Sequence, residues 1–315
     1  MAQHIGIVWN PSKTTKDEMQ EALDQALAAT QPRPQITWIK TAEDDPGRGA
    51  ADEAIAAGAD LVIAAGGDGT VRAVAERVAQ VEGVELAIAP LGTGNLLARN
   101  IGVPIDDLPA AFTRALTQDA QSLDLGWVTV DIDQGGSERH AFAVMAGFGI
   151  DAHMITETDE DLKGRVGWLA YVESLGRAVT ASEVIDVHMS ESDGDIVHTR
   201  AHTLLVGNCG TVQGGITLLP DADPRDGELD VLVLDAEGIG GWLDTMRNML
   251  WDNGLARMLP GGTERAQDSK SASHHRVTSL TIDLDEPREI EIDGDVLGTT
   301  SRIEIEVQPA ALRVR

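Results

Sequence analysis

The segment Leu61-Val-Ile-Ala-Ala-Gly-Gly-Asp-Gly-Thr70 constrains what this chain can fold into more than any other. A short apolar run, residues 61–65, reads as a buried strand. It empties into Gly66-Gly67-Asp68-Gly69-Thr70, after which Val71, Val74, Val78 and Val81 recur at helical spacing. The pattern then repeats. Leu86-Ala-Ile-Ala-Pro90 reads as a strand, Leu91-Gly92-Thr93-Gly94-Asn95 as a second glycine loop, and Leu96-Leu-Ala-Arg99 as the start of a helix. A glycine loop between strand and helix lets backbone N–H groups approach an anion, and the helix N-terminus adds positive potential. One such loop is equally a tight βα turn. Two on consecutive units, about 25 residues apart, point to a nucleotide.

The surrounding chain supports a layered domain. Residues 5–9 read as a strand ending at Asn10-Pro11, 18–29 as a helix, 36–39 as a strand, 49–57 as a helix and 108–116 as a further helix. This βαβα order predicts a mainly parallel sheet covered by helices. Past residue 122 strand-like runs dominate, at 125–132, 140–145, 184–189, 202–207, 229–234, 277–284, 288–292 and 303–307. Several alternate apolar and polar residues, as antiparallel strands with one wet face do. The predicted fold class is therefore α/β plus β-rich. An α/β nucleotide-binding domain spans residues 1–122, and a mainly antiparallel β domain with inserted helices spans 123–302. The last strand, 303–315, is free to return to the first domain. Helical patches are predicted at 162–175 and 239–259. The Trp/Met-rich face of the second suits either core or acyl chains. Residues 261–273 read as a polar loop.

Composition excludes several functions. The formal charge is −28, from 24 basic and 52 acidic residues, and only five of the basic residues are lysine. Nucleic acid needs a basic footprint and is excluded as a partner. No apolar run reaches the roughly 18 residues that span a bilayer. The first residues, Met-Ala-Gln-His-Ile-Gly-Ile-Val, read as a strand rather than a signal peptide, so a cytoplasmic location is expected. The single cysteine, Cys209, ends an apolar run and reads as a small core residue. The eight histidines show no metal-ligand spacing.

Gly66-Gly-Asp-Gly-Thr70 followed by Pro90-Leu-Gly-Thr-Gly-Asn95 resembles the bacterial lipid kinases of the diacylglycerol kinase catalytic-domain family. The likeness extends through Asn10-Pro11, Ala146-Gly-Phe-Gly-Ile-Asp-Ala152, Leu162-Lys163, Leu169-Ala-Tyr171, Val206-Gly-Asn208, Asp226-Gly-Glu-Leu-Asp230 and Asp293-Gly294-Asp295. The resemblance implies ATP- and Mg2+-dependent phosphorylation of a lipid hydroxyl, most simply diacylglycerol to phosphatidic acid. It also implies a site in the cleft between the two domains. A transient, peripheral encounter with lipid at the inner membrane face is expected from the amphipathic spacing at 239–259.

Phosphoryl transfer needs backbone donors and Mg2+ around the phosphates and a base for the attacking hydroxyl. Gly66, Gly67, Gly69 and Gly92 supply the donors, Thr70 is predicted to N-cap the helix it opens, and Asp68 to hold Mg2+ directly or through water. Thr93 and Asn95 suit phosphate or ribose, or a turn and a cap. The resemblance adds Thr41, after the second strand, as an ATP contact. Asp293 and Asp295, two apart on a strand, leave the same face unless Gly294 bends the chain. Paired carboxylates there can accept a proton and bind metal. The family tripeptide usually ends in Glu, so either Asp293 or Asp295 is the base here. Asp-Gly is also a hairpin signal. Asp223-Pro-Arg-Asp226-Gly-Glu228 resembles the family's structural Mg2+ loop, with Asp226 binding through its side chain and Asp223 and Glu228 mainly through carbonyls. A plain Asp-Gly turn accounts for it as well. The rival enzyme is NAD kinase, which shares the Gly-Gly-Asp-Gly loop but grips its substrate with Asn followed by an acidic residue. None of the six Asn residues here is so followed. A non-catalytic nucleotide-binding regulator is the rival of another class.

Overall fold

The computed structural model describes residues 2–28, 32–132, 136–149, 184–191, 196–212, 217–234 and 272–315. The helices predicted at 162–175 and 239–259, and the motifs at 150–152, 162–163 and 169–171, lie outside them.

The first half alternates as its sequence predicts. Strands β1 (His4–Trp9), β2 (Gln35–Lys40), β3 (Leu61–Gly66) and β4 (Glu85–Pro90) pair in parallel in the order β4-β3-β1-β2. Helices α1 (Lys16–Leu27), α2 (Arg48–Ala56), α3 (Asp68–Val78), α4 (Leu96–Asn100) and α5 (Leu108–Thr117) cover both faces. Alternation along the strands divides the core. Ile5, Ile7, Leu61 and Ile63 meet Met19 and Leu23 of α1 and Phe112 and Leu116 of α5. Val8, Val62, Ala64 and Ile88 face Ala50, Ala51 and Ala54 of α2 and Val71, Val74 and Val78 of α3. A capping box starts α1: Thr15 Oγ1 accepts from the Glu18 amide, and the Thr15 amide donates to Glu18 Oε2 at 3.0 Å.

The second half is antiparallel. It comprises β5 (Gln121–Ile132), β6 (Gly136–Phe142), β7 (Met145–Phe148), β8 (Ile185–Glu191), β9 (Ile196–Ala201), β10 (Thr203–Gly207), β11 (Leu229–Leu234), β12 (Ala272–Val277), β13 (Ser279–Ile292) and β14 (Asp295–Val314). Among the described residues all fourteen strands form one sheet: ten follow the path β12-β11-β10-β7-β13-β14-β4-β3-β1-β2, β5 branches from β14 and carries β6, and β8 branches from β13 and carries β9. The long β14 joins the halves. It pairs antiparallel with β5 and β13, and its end, Val314, pairs in parallel with Leu86 of β4.

Three sequence readings need correction, and one strand was missed. The single strand at 140–145 is two, β6 and β7, broken at Ala143-Val144, whose amides turn away to Asp293. Of the strand expected at 277–284, Val277 ends β12, and the rest joins 288–292 as one strand, β13 from Ser279, which passes its polar Asp-Glu-Pro stretch through a register shift between Asp283 and Arg288. The polar stretch ending at residue 273 already belongs to β12 from Ala272, because Ala272 and Ser273 pair with Leu234 and Val233. Strand β9, mostly exposed, with only the short apolar pair Ile196-Val197, was not read as a strand and is held by its ladder with β8.

Candidate functional site

The two glycine loops lie side by side because β3 and β4 are parallel neighbours that end in register, Gly66 opposite Pro90. The Leu91 amide donates to the Gly66 carbonyl at 2.9 Å. The loops touch backbone to backbone. A Cβ placed on Gly92 would sit 2.7 Å from Gly67 Cα, closer than a side chain can stand, so only glycine allows the approach.

Asp68 fastens this contact. It is the first residue of α3, and its Oδ2 and Oδ1 accept the amides of Asn95 (2.9 Å) and Leu96 (2.5 Å) in the other loop. Burial pushes its carboxyl up from the ordinary value, the two amides pull it down, and the Asp295 charge adds a smaller upward push. Asn95 takes a left-handed conformation, φ 48°, and its side-chain amide is taken up by its own loop. Its Oδ1 accepts from the Gly92 amide and its Nδ2 donates to the Gly92 carbonyl.

Thr70 does not cap α3, contrary to the sequence reading. Gly67 is the cap, without a side-chain bond, and Thr70 is buried in the first turn. The reason is packing. A Cβ on Gly66 would fall 2.5 Å from Thr70 Cβ, so the threonine closes over the glycine rather than reaching the helix end.

Across a cleft of about 500 Å3 stands Asp293-Gly294-Asp295. It is a two-residue hairpin turn between β13 and β14, Ile292 opposite Asp295, with positive φ at Asp293 (48°) and Gly294 (87°). The two carboxylates therefore do not share a face. Asp293, 5% exposed, turns inward and accepts three amides at the β6–β7 break: Ala143 at 2.8 Å, Val144 at 2.9 Å and Met145 at 3.0 Å. Burial raises its carboxyl, and those amides and the Arg72 charge oppose the rise. The Asp295 side chain is half-exposed and lines the cleft beside the first loop. A Cβ on Gly69 would lie 3.1 Å from Asp295 Oδ2. Gly67, Asp68, Gly69, Thr70, Gly92, Thr93, Gly94, Asp293, Gly294 and Asp295 share this cleft, and Met145, Leu205, Val212 and Leu218 give it an apolar wall.

Other expected residues stand apart. Gly66 and Asn95 lie behind the lining, and Thr41, buried beyond β2, donates its amide to the Trp9 carbonyl. Asp223, Asp226 and Glu228 form a separate turn. The Asp223 carbonyl accepts the amides of Arg225 and Asp226, and Asp226 Oδ1 accepts the Glu228 amide at 3.0 Å. The Arg276 guanidinium stands 3.7 Å from Asp226 Oδ2, 3.4 Å from Glu228 Oε2 and 3.7 Å from Asp230 Oδ1. Among the described residues no three or more His, Cys, Asp or Glu side chains converge as a metal cage. The Arg276 guanidinium thus supplies positive charge beside this turn.

Sequence reasoning passed over residues that build the site. Lys13, after β1, lines the cleft. Arg72 ion-pairs with Asp295; its signal was its place one helical turn after Asp68, on the same face. Asn208, noted in the sequence only as part of the Val206-Gly-Asn208 motif, is buried, donates to the carbonyls of Asp124 and Ala143 and so holds the break that receives Asp293. Asp124 in turn accepts the amides of Gly227 (2.8 Å) and Ala310 (2.7 Å). Cys209 is buried, and burial pushes its thiol up, as expected of an inert core residue.

Residues 4–128 match the profile of the diacylglycerol kinase catalytic domain, and residues 143–315 match that of the YegS C-terminal NAD kinase beta sandwich-like domain. A "Probable lipid kinase YegS-like" protein of Pseudomonas aeruginosa (strain UCBPP-PA14) is 33% identical over 281 residues, 89% of this chain and 82% of its own. One of the same description from Xanthomonas euvesicatoria pv. vesicatoria (strain 85-10) is 31% identical over 323 residues, 99% and 95% of the two chains. Two solved chains from Bacillus anthracis str. Sterne share the fold with TM-scores of 0.73 and 0.68, at 23% and 22% identity, each covering 99% of this chain and 96% of its own; the second is described as a diacylglycerol kinase. The chain thus belongs to the bacterial lipid kinase family that joins a diacylglycerol kinase catalytic domain to a YegS-type C-terminal domain.

Proposed function

We propose that this protein transfers the γ-phosphoryl group of ATP, with Mg2+, to the hydroxyl of a lipid, diacylglycerol being the simplest acceptor. One observation carries the reading: a half-exposed carboxylate, Asp295, stands against a pair of fused glycine loops in a cleft with one polar and one apolar wall.

Amides of the Gly67–Thr70 stretch and of Thr93 and Gly94 receive the phosphates, since the Gly92 amide is taken by Asn95 Oδ1, and Lys13 adds positive charge to the lining. Asp68 is the girder of that cradle. Each of its oxygens accepts one amide, and a carboxylate offers about four lone-pair sites, so it keeps capacity for Mg2+. Bound with the nucleotide, the ion supplies charge neutralisation at the phosphates. Acyl chains lie along Met145, Leu205, Val212 and Leu218. The lipid oxygen attacks the γ-phosphorus, the bond to the β-phosphate oxygen breaks to release ADP, and the hydroxyl proton passes to Asp295. Asp293 is the anchor of the turn rather than the base, because its three amide bonds hold it away from the acceptor. The lipid is met at a membrane surface in a transient, peripheral contact.

Radiolabelled ATP offered with diacylglycerol, a sphingoid base, a polyprenol-type alcohol and NAD, at varied Mg2+, tests the reading. Label in a lipid, dependent on Mg2+, is expected. Label in NAD alone, or in no acceptor, overturns it. Asp295→Asn is expected to cut kcat about 100-fold or more with the ATP-induced rise in Tm retained.

A further inference from the structure

Asp295 does not stand alone. Arg72 Nη2 donates to Asp295 Oδ2 at 2.6 Å, joining α3 to the first residue of β14 across 223 positions of sequence. The two side chains differ in setting, 14% exposed for Arg72 and 52% for Asp295. They also belong to different cavities. Asp295 lines the main cleft, whereas Arg72 lines a second cavity of about 360 Å3 with Asp45, Arg48, Glu76 and His140. The guanidinium therefore grips the carboxylate from outside the cleft where the phosphates are received.

As a source of stability the pair is poor. An ion pair with a solvent-exposed partner contributes little to stability. Arg72 Nε is buried without a hydrogen-bond partner, which costs folding free energy. What the pair does supply is geometry. Asp295 follows a tight turn and projects into water, so its carboxylate is free to rotate among staggered conformers unless something selects one. Transfer to a carboxylate requires it within hydrogen-bond reach of the hydroxyl, and misplacement by about 1 Å costs on the order of 100-fold in rate.

We propose that Arg72 is a positioning residue of this kinase. It holds the Asp295 carboxylate in the conformer that faces the acceptor hydroxyl and touches neither substrate. The assignment rests on Asp295 being the proton acceptor, as argued above.

The test compares Arg72→Met, Arg72→Lys, Asp295→Asn and the double variant Arg72→Met/Asp295→Asn with the parent. For Arg72→Met, kcat is expected to fall about 10- to 100-fold, with KM for ATP and the ATP-induced rise in Tm unchanged. Arg72→Lys, which keeps the charge, is expected to recover part of the loss, and carries the comparison if the methionine variant does not fold. The double variant is expected to be no slower than Asp295→Asn, because Arg72 acts only through that carboxylate. Parental kcat in Arg72→Met, or a further loss in the double variant equal to that of the single, overturns the proposal. A lowered Tm with unchanged kcat overturns it too, assigning the pair to stability. An active Asp295→Asn instead overturns the choice of base, so the two failures are distinct.

Discussion

Asp293 and Asp295 are the same residue type two positions apart, and their surroundings give them opposite work. Asp293 faces three amides and no acceptor, so Asp293→Asn puts an N–H2 group against N–H donors. It is expected to lose about 2–4 kcal/mol of stability, seen as a lower denaturation midpoint, with activity falling as the turn loosens. Asp295→Asn is expected to leave that midpoint nearly unchanged while cutting kcat about 100-fold or more. Equal midpoints for the two variants would refute this division. The sequence made both acids visible but not their roles. It left the choice open because the turn conformation at Gly294, and the amides released at Ala143 to Met145, arise from contacts about 150 residues apart. The amide of Asn95 is the same lesson. Its residue type suited a ligand contact, and only the fold shows it closing on Gly92.

Among the elements, the paired loops were the most legible, because strand, glycines and helical spacing are local signals. Their contact was not, since β3 and β4 become neighbours only in the sheet. Gly92→Ala is expected to drive the loops apart at Gly67 and to remove the ATP-induced rise in Tm, while far-ultraviolet circular dichroism stays parental. An undiminished rise would mean that the loops do not hold the phosphates together. The Asp226–Asp230 turn offers a prediction of another kind. Burial is the main cause that pushes the Asp230 carboxyl up to about 6 from the usual 3.8, with the neighbouring acids adding to it and Arg276 opposing it. The native state thus holds this proton more tightly than the unfolded chain. The contribution of Asp230 to stability is greatest below 3.8 and is lost as pH rises through about 6. Chemical denaturation of Asp230→Asn is expected to show a flatter dependence than the parent between those values. Parallel curves would remove Asp230 as the cause.

Over the whole molecule, 52 acidic residues against 24 basic ones give a charge of −28, and like charges on a compact body repel. Moderate salt is expected to raise Tm by screening, and to increase association with anionic vesicles more than with neutral ones. A Tm indifferent to salt would show the charges already balanced by local pairs such as Arg302 with Asp283 and Glu304. Among the described residues no helix is long and apolar enough to cross a membrane.

Local chemistry in the sequence determined the parallel α/β half, the antiparallel character of the second half and the glycine loops. Each is written in neighbouring residues: apolar period, caps, and glycines between strand and helix. The tertiary structure decided what depends on approach. The β13 and β14 strands became long ladders because partners, not apolar runs, set their length. The turn near Asp226 received its cation from Arg276, 50 positions away in sequence. Asp293 was drawn inward, and Asp295 was left at the cleft in the grip of Arg72. Carboxylates of one type differ only in the donors and charges that folding brings within a few ångströms, and those neighbours are distant in the chain.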